Sequence, residues 1–240
     1  MRVKAVIAYD GSHFFGFQKQ THTPYTVATQ IEKSLQNIGI DSPIIASGRT
    51  DTGVHATGQV IHFDLPKHWR DTTKLAFELN RKLEHIHIKH ITATDATFHA
   101  RFSAKKRLYR YIFKTKSPSV FEKNYIASYP SFDLPTLKSA LQCFEGTHDF
   151  ATFHKKGSQT NTTVRTLYRA YYKPYHDYHI LYFLANGFLR SQVRMMVESA
   201  MSCATHKMPL ASITNQLNGN TPLHKHLAPP QGLYLARVIY

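Results

Sequence analysis

The chain has 240 residues, with 30 Lys and Arg against 15 Asp and Glu, a formal charge of +15, and 42% apolar and 12% aromatic content. That length can bury a core as one large domain or two small ones, and the apolar content argues against disorder. So basic a chain calls for a polyanionic partner, and with no apolar run approaching the length of a membrane span, nucleic acid is preferred to a membrane surface.

Residues 3–9 read as a first strand, not a signal peptide. A loop with Phe14, Phe15 and Phe17 follows, of which two rings are expected in the core. Val27, Ile31, Leu35 and Ile38 then recur at helical spacing, with Thr26 as N-cap and Gly39 closing the helix. Ile44 and Ile45 begin a strand, Val60, Ile61 and Phe63 end another, and the loop between them carries Gly48, Arg49, Asp51, Gly53, His55 and Gly58. Asp71 opens a second helix carrying Leu75, Leu79 and Leu83, and Ile86, Ile88 and Ile91 mark a further strand. The order β-α-β-β-α-β is that of a ferredoxin-like unit, also used by RNA-recognition modules.

The second half repeats the scheme. A basic strand is expected from Arg101 to Lys114, and a helix from Leu134 to Phe144, opened by Asp133 and Pro135. Strands at 163–172 and 178–185 precede a long helix with Leu189, Val193, Met196, Val197 and Ala200 on one face. A short helical piece near 209–217 and a last strand at 233–239 complete it. The predicted fold is α+β: two ferredoxin-like halves, residues 1–102 and 103–240, sharing a continuous, mainly antiparallel sheet around a central basic cleft. Cys143 and Cys203 fit neither a disulfide framework nor a zinc site and read as buried free thiols of a reducing cytoplasm. His85, His87 and His90 are read as polar strand positions, His85 and His87 on one face, without a carboxylate or Cys at ligand spacing. No metal or cofactor is expected.

Two stretches carry chemistry. Residues 97–111 interleave Arg101, Lys105, Lys106, Arg107 and Arg110 with Phe98, Phe102, Tyr109 and Tyr111, cations for phosphates and rings for bases. The loop at 48–59 places a lone carboxylate, Asp51, two residues from Arg49, and loops held by a rigid sheet are where catalytic side chains tend to sit. This loop, Gly48-Arg49-Thr50-Asp51 through Gln59, resembles the catalytic loop of the tRNA pseudouridine synthases of the TruA family. The resemblance extends to residues 9–18, with Phe17 where Trp is usual, and to residues 98–111. It continues through Gly146–Phe150, through 186–194, and to Ala228–Leu235. Past Arg194 the chain departs, Met195 and Glu198 standing where Asn and Gly are usual.

What the resemblance implies is an isomerase that breaks the N1–C1′ bond of a tRNA uridine and rejoins the base through C5. Asp51 is the implied nucleophile, Tyr109 the base contact and Arg194 the partner of Asp51. Arg49, His55, Arg101 and Arg110 are the expected further substrate contacts. The implied target is uridine at positions 38–40 of the anticodon stem-loop, and the implied assembly a homodimer. Two other readings compete: a non-catalytic RNA-binding protein with two RNA-recognition-like halves, which leaves the Asp51 loop unexplained, and a nucleobase glycosidase, which commonly needs a second carboxylate.

Overall fold

Side chains at helix starts decide where the helices begin. The computed structural model describes residues 1–157, 160–219 and 226–240, and divides into two compact units, Met1–Lys105 with Leu235–Tyr240, and Lys106–Tyr234. In the first unit Thr26 accepts from the Thr29 amide to open α1 (Val27–Gln36), and Asp71 accepts from Thr73 and Lys74 to open α2 (Thr72–Asn80). In the second, Asp133 accepts from Thr136 to open α3 (Leu134–Gln142), whose Pro135 occupies the first turn, where its missing N–H costs nothing. Val27, Ile31 and Leu35 of α1 are all buried, each stabilising the fold by about 1.5–3 kcal/mol. Gly39, at φ +77°, ends the turn after α1.

The first unit has a mainly antiparallel sheet in the order β4 (Ile86–Ala93), β1 (Arg2–Tyr9) and β3 (His55–Asp64), with β2 (Ile45–Ala46) on β3 and β10 (Leu233–Ile239) next to β3. β1 alternates strictly, burying Val3, Ala5, Ile7 and Tyr9. Ile86, Ile88 and Ile91 are buried as their pattern suggests, although their spacing breaks alternation. A register shift against β1 between Val6 and Ile7 absorbs the extra residue.

The second unit orders its strands β5 (Lys106–Lys114), β9 (Tyr178–Ala185), β8 (Val164–Tyr175) and β7 (Gly146–Asp149), all neighbours antiparallel, with β6 (Ala127–Ser128) parallel to β5. Tyr109, Tyr111 and Phe113 of β5 share a buried face with Leu181 and Phe183. Behind them lie α3 and α4 (Gln192–Ala204), the latter buried on nearly every side, and α5 (Ala211–Leu217) follows it. The architecture is thus mixed α+β with mainly antiparallel strands.

Several boundaries differ from expectation. The basic strand starts at Lys106, because residues 99–103 form a turn closed by the Ser103 amide on His99 O, so Arg101 lies in a turn. Gly58 belongs to β3, where a side chain would come within 2.3 Å of Ala236 O on the neighbouring strand. Leu83 and Leu189 are buried just outside their helices. β6 and β7 are too short to leave an alternation in sequence. Cys203 is buried, which pushes its thiol up to about 11, whereas Cys143 is half-buried. His85 is no strand residue: it adopts φ +61° ahead of β4 and so does not share a strand face with His87.

Candidate active site

Asp51 sits at the centre of a loop clamped at both ends. On the entering side, Ser47 donates from its backbone to Val60 O (2.8 Å), and Gln59 donates from Nε2 to Gly48 O (2.8 Å) while accepting from the Ser47 hydroxyl (2.6 Å). In the middle, the hydroxyls of Tyr9 and Thr50 pair at 2.8 Å, the Phe17 amide donates to Thr50 O (3.1 Å), and the Val54 amide turns back onto Asp51 O (3.1 Å). Gly53, at φ +76°, makes that turn without strain. Desolvation, the larger influence, pushes the Tyr9 phenol well above its usual range, so it remains a neutral hydrogen-bonding post.

On the leaving side, His55 is buried and its Nδ1 accepts from the Gly11 amide at 3.0 Å, with Asp10 Oδ1 3.3 Å away. Through that bond His55 ties the start of β3 to the 10–17 segment. That segment packs so closely that a methyl group on Gly11 would lie 2.1 Å from Val54 O. Phe14 and Phe17 are buried and Phe15 exposed, and the Phe17 ring packs against Tyr9 at 6.1 Å, the apolar role left after loss of an indole donor. Asp51 itself is half-buried and Arg49 exposed.

In the second unit, Tyr109 is 8% exposed and meets Phe188 edge to face at 5.2 Å. Arg194, in the first turn of α4, is half-buried, and its Nε donates to Ala228 O at 2.7 Å while the Ala228 amide returns to Arg194 O at 3.1 Å. One turn on, Glu198 accepts from the Tyr129 hydroxyl at 2.8 Å. Tyr111 donates to Pro229 O at 3.0 Å, and its ring lies against Gly232, where a side chain would meet ring and strand backbone alike at 2.8 Å. Burial is the largest cause pushing both Tyr111 and Tyr129 far above the usual phenol range. Residues 228–232 are thereby tied to the helix that carries Arg194. The Glu198 departure from the family pattern forms part of this packing through Tyr129.

Arg101 is exposed, its guanidinium 5.6 Å from the exposed Phe102 ring, which stacks on His99 at 4.3 Å. Arg110 lies on the face of β5 opposite to Tyr109, as period-two alternation requires. Asp10, Gln59, Tyr9 and Thr50, which hold the loop, drew no separate notice in sequence, because only the three-dimensional pairing shows their role.

Asp10, His13 and His85 bring three potential metal-ligand atoms within 4.8 Å of one another, including the carboxylate that spacing alone did not reveal beside His85. The two rings stack at 3.4 Å and 3°. An ion about 2 Å from one ring nitrogen, in that ring's plane, lies about a stacking distance off the plane of the other. The pair is therefore not arranged as joint ligands. Among the described residues no helix is long and apolar enough to cross a membrane.

Asp51 thus stands as a half-buried carboxylate in a clamped, glycine-rich sheet loop, on a chain of formal charge +15. Residues 5–103 and 140–240 match the family model described as tRNA pseudouridine synthase. The chain is 40% identical over 245 residues to the tRNA pseudouridine synthase A of Helicobacter hepaticus, covering 99% of this chain and 98% of that one. It is 39% identical over 242 residues to that of Helicobacter pylori, with 99% and 98% covered, and 38% identical over 242 residues to that of Campylobacter jejuni subsp. doylei, with both chains covered in full. The chain belongs to the tRNA pseudouridine synthase family, the isomerases that form pseudouridine in tRNA.

Proposed function

We propose that this isomerase converts uridine to pseudouridine at positions 38–40 of the tRNA anticodon stem-loop, with Asp51 as its nucleophile. The observation that carries the reading is the Asp51 loop itself: a single half-buried carboxylate on backbone fixed from both sides by Gln59, Thr50 and Val54. Pseudouridine formation is balanced within the substrate. The N1–C1′ bond breaks, C1′ bonds to C5, the C5 hydrogen leaves as a proton and N1 gains one. No electrons are exchanged, so a carboxylate that attacks and leaves suffices. Attack at C1′, attack at C6, or removal of the 2′ proton through a glycal all fit Asp51.

The family pattern supports Arg194 as the cation that pairs with Asp51, keeping it ionised and fixing its orientation by two parallel hydrogen bonds. It supports Tyr109 as the ring that stacks on the uracil and as a candidate acceptor of the C5 proton, with Arg49, His55 and Arg101 around the target. The uridine must leave its stack to be reached, and a strongly cationic surface offsets part of that cost by holding phosphates. The same pattern supports ferredoxin-like halves, a homodimer and a cytoplasmic setting. An unmodified tRNA transcript carrying C5-tritiated uridine tests the reading. Tritium release mapped to positions 38–40 is expected; release of free uracil would instead make the protein a glycosidase.

A further inference from the structure

Arg194 is gripped by a route of side chains that leaves its own helix and returns to it, all within the second unit. Ser191, at the start of α4, adopts φ +59° and makes no side-chain capping bond, so the first turn takes its hold from outside the helix. That hold is Ala228. Arg194 Nε donates to Ala228 O at 2.7 Å, and the Ala228 amide donates to Arg194 O at 3.1 Å. A guanidinium engaged through Nε is turned to one angle, and a carboxylate pairing with it by two parallel bonds then meets the edge formed by its terminal nitrogens. The angle is only as well fixed as the Ala228 carbonyl.

The segment cannot fix that carbonyl alone. Ala228 lies outside any helix or strand, and Pro229 and Pro230 after it have no amide to donate. Carbonyls are what the rest of the fold can grip. Tyr111, fully buried on β5, donates to Pro229 O at 3.0 Å. Its ring packs against Tyr129 at 6.3 Å, and Tyr129 meets Phe113 edge to face at 5.5 Å. The Tyr129 hydroxyl donates to Glu198 at 2.8 Å, and Glu198 lies one turn beyond Arg194 on α4. There the route closes.

Burial is the main influence on the Tyr111 phenol, followed by Tyr129 and then by Glu198 and Arg194, which act on it in opposite directions. Its pKa is pushed up, so the phenol keeps the proton that it donates to Pro229 O. Glu198 is half-buried. A glutamate with only a solvating role would turn its carboxyl to water, whereas this one accepts from a phenol wedged between Tyr111 and Phe113. Glycine, usual at this position in the family, offers no acceptor to Tyr129, so the Tyr129–Glu198 bond distinguishes this chain from that pattern.

We propose that Glu198 is a positioning residue for Arg194: through Tyr129 and Tyr111 it fixes the Ala228 carbonyl that sets the angle of the guanidinium. This rests on the pairing of Arg194 with Asp51 proposed above and supplies what holds the cation at the angle such a pairing needs.

The experiment compares Glu198→Ala, Glu198→Gln, Tyr129→Phe, Arg194→Lys and the double variant Glu198→Ala/Arg194→Lys with the parent protein. Single-turnover tritium release from C5-tritiated uridine in a tRNA transcript is measured with protein in excess, the competent fraction being fixed by titration with tRNA and the folded state by urea denaturation. Glu198→Ala and Tyr129→Phe are each expected to slow release by about tenfold with tRNA affinity unchanged, because a small misplacement of a positioned group costs that much. Glu198→Gln, whose amide oxygen can still accept from Tyr129, is expected to stay within about threefold of the parent. In the Arg194→Lys background Glu198→Ala is expected to cost less than about twofold more, since two changes acting through one group do not add. A purely structural role would give an additive loss, or one that disappears when rates are referred to competent protein. Either result overturns the proposal, as does parent-like release by Glu198→Ala or a loss in Glu198→Gln equal to that in Glu198→Ala. Slow release by Arg194→Lys beside parent-like release by Glu198→Ala removes this proposal alone. Parent-like release by Arg194→Lys removes the pairing with Asp51 and this proposal with it.

Discussion

At the residue scale, the site depends on how narrowly Asp51 is held. The Tyr9–Thr50 and Gln59–Gly48 bonds hold the chain before it, the Val54 amide turns back onto its carbonyl after it, and the 10–17 segment is wedged against Val54. Gly11→Ala would drive a methyl into Val54 O, so stability is expected to fall by about 1–3 kcal/mol. Turnover is expected to fall further, as the loop shifts. Urea denaturation and turnover measured on one preparation check this, and unchanged values for both would show that the wedge is dispensable. Arg194→Lys keeps the charge but not the planar fork, and a charged hydrogen bond of about 1.5–3 kcal/mol corresponds to a loss of roughly 10- to 100-fold in turnover. On the proposed pairing with Asp51, the loss is expected to deepen toward acid. A loss independent of pH would separate Arg194 from the carboxylate.

At the scale of elements, caps and faces were legible in the sequence, whereas pairings were not. Thr26, Asp71 and Asp133 cap because a side-chain oxygen and an amide two or three residues on are all a cap requires. β2 and β7 exist only through partners elsewhere in the chain, and the left-handed turn at His85 is bonded to Asp10, far away in sequence. Alternation along β5 does separate Tyr109 from Arg110 in sequence, yet it takes the β5–β9 register to show that Arg110 stands beside Tyr182. The Asp51 loop was legible as a string, but its clamps, Tyr9 and Gln59, required the fold. His62 illustrates the gap. It is buried in β3 with Nδ1 accepting from the Ala100 amide at 3.1 Å, and desolvation, ahead of repulsion from Arg2 and His99, lowers its pKa. His179, among Phe113, Phe132 and Tyr172, is lowered by burial too. A histidine whose folded pKa lies below its unfolded value of about 6.5 contributes stability present above that value and lost as pH falls through the window between the two. The melting temperature is therefore expected to drop between pH 7 and pH 5, and less so in His62→Asn, whose amide oxygen can still accept from Ala100. An equal drop in both proteins would place the acid sensitivity elsewhere.

At the scale of the molecule, a charge of +15 on 240 residues makes phosphate neutralisation the main source of RNA affinity. The logarithm of the tRNA association constant is expected to fall linearly with the logarithm of salt, with a slope of several units. A flat response would remove the basic surface from tRNA binding. Charge nevertheless belongs to RNA-binding proteins in general, and on the proposed reading what separates an isomerase from a binder is one carboxylate. The most direct measurement is tritium release from C5-tritiated uridine in one tRNA transcript by the parent protein and by Asp51→Asn, with tRNA binding measured on both. The parent is expected to release tritium, and Asp51→Asn to bind comparably yet release it more than about a thousandfold more slowly, because the substitution removes the proposed nucleophile and leaves the phosphate contacts. Release by Asp51→Asn at the parent rate would contradict the assignment of Asp51.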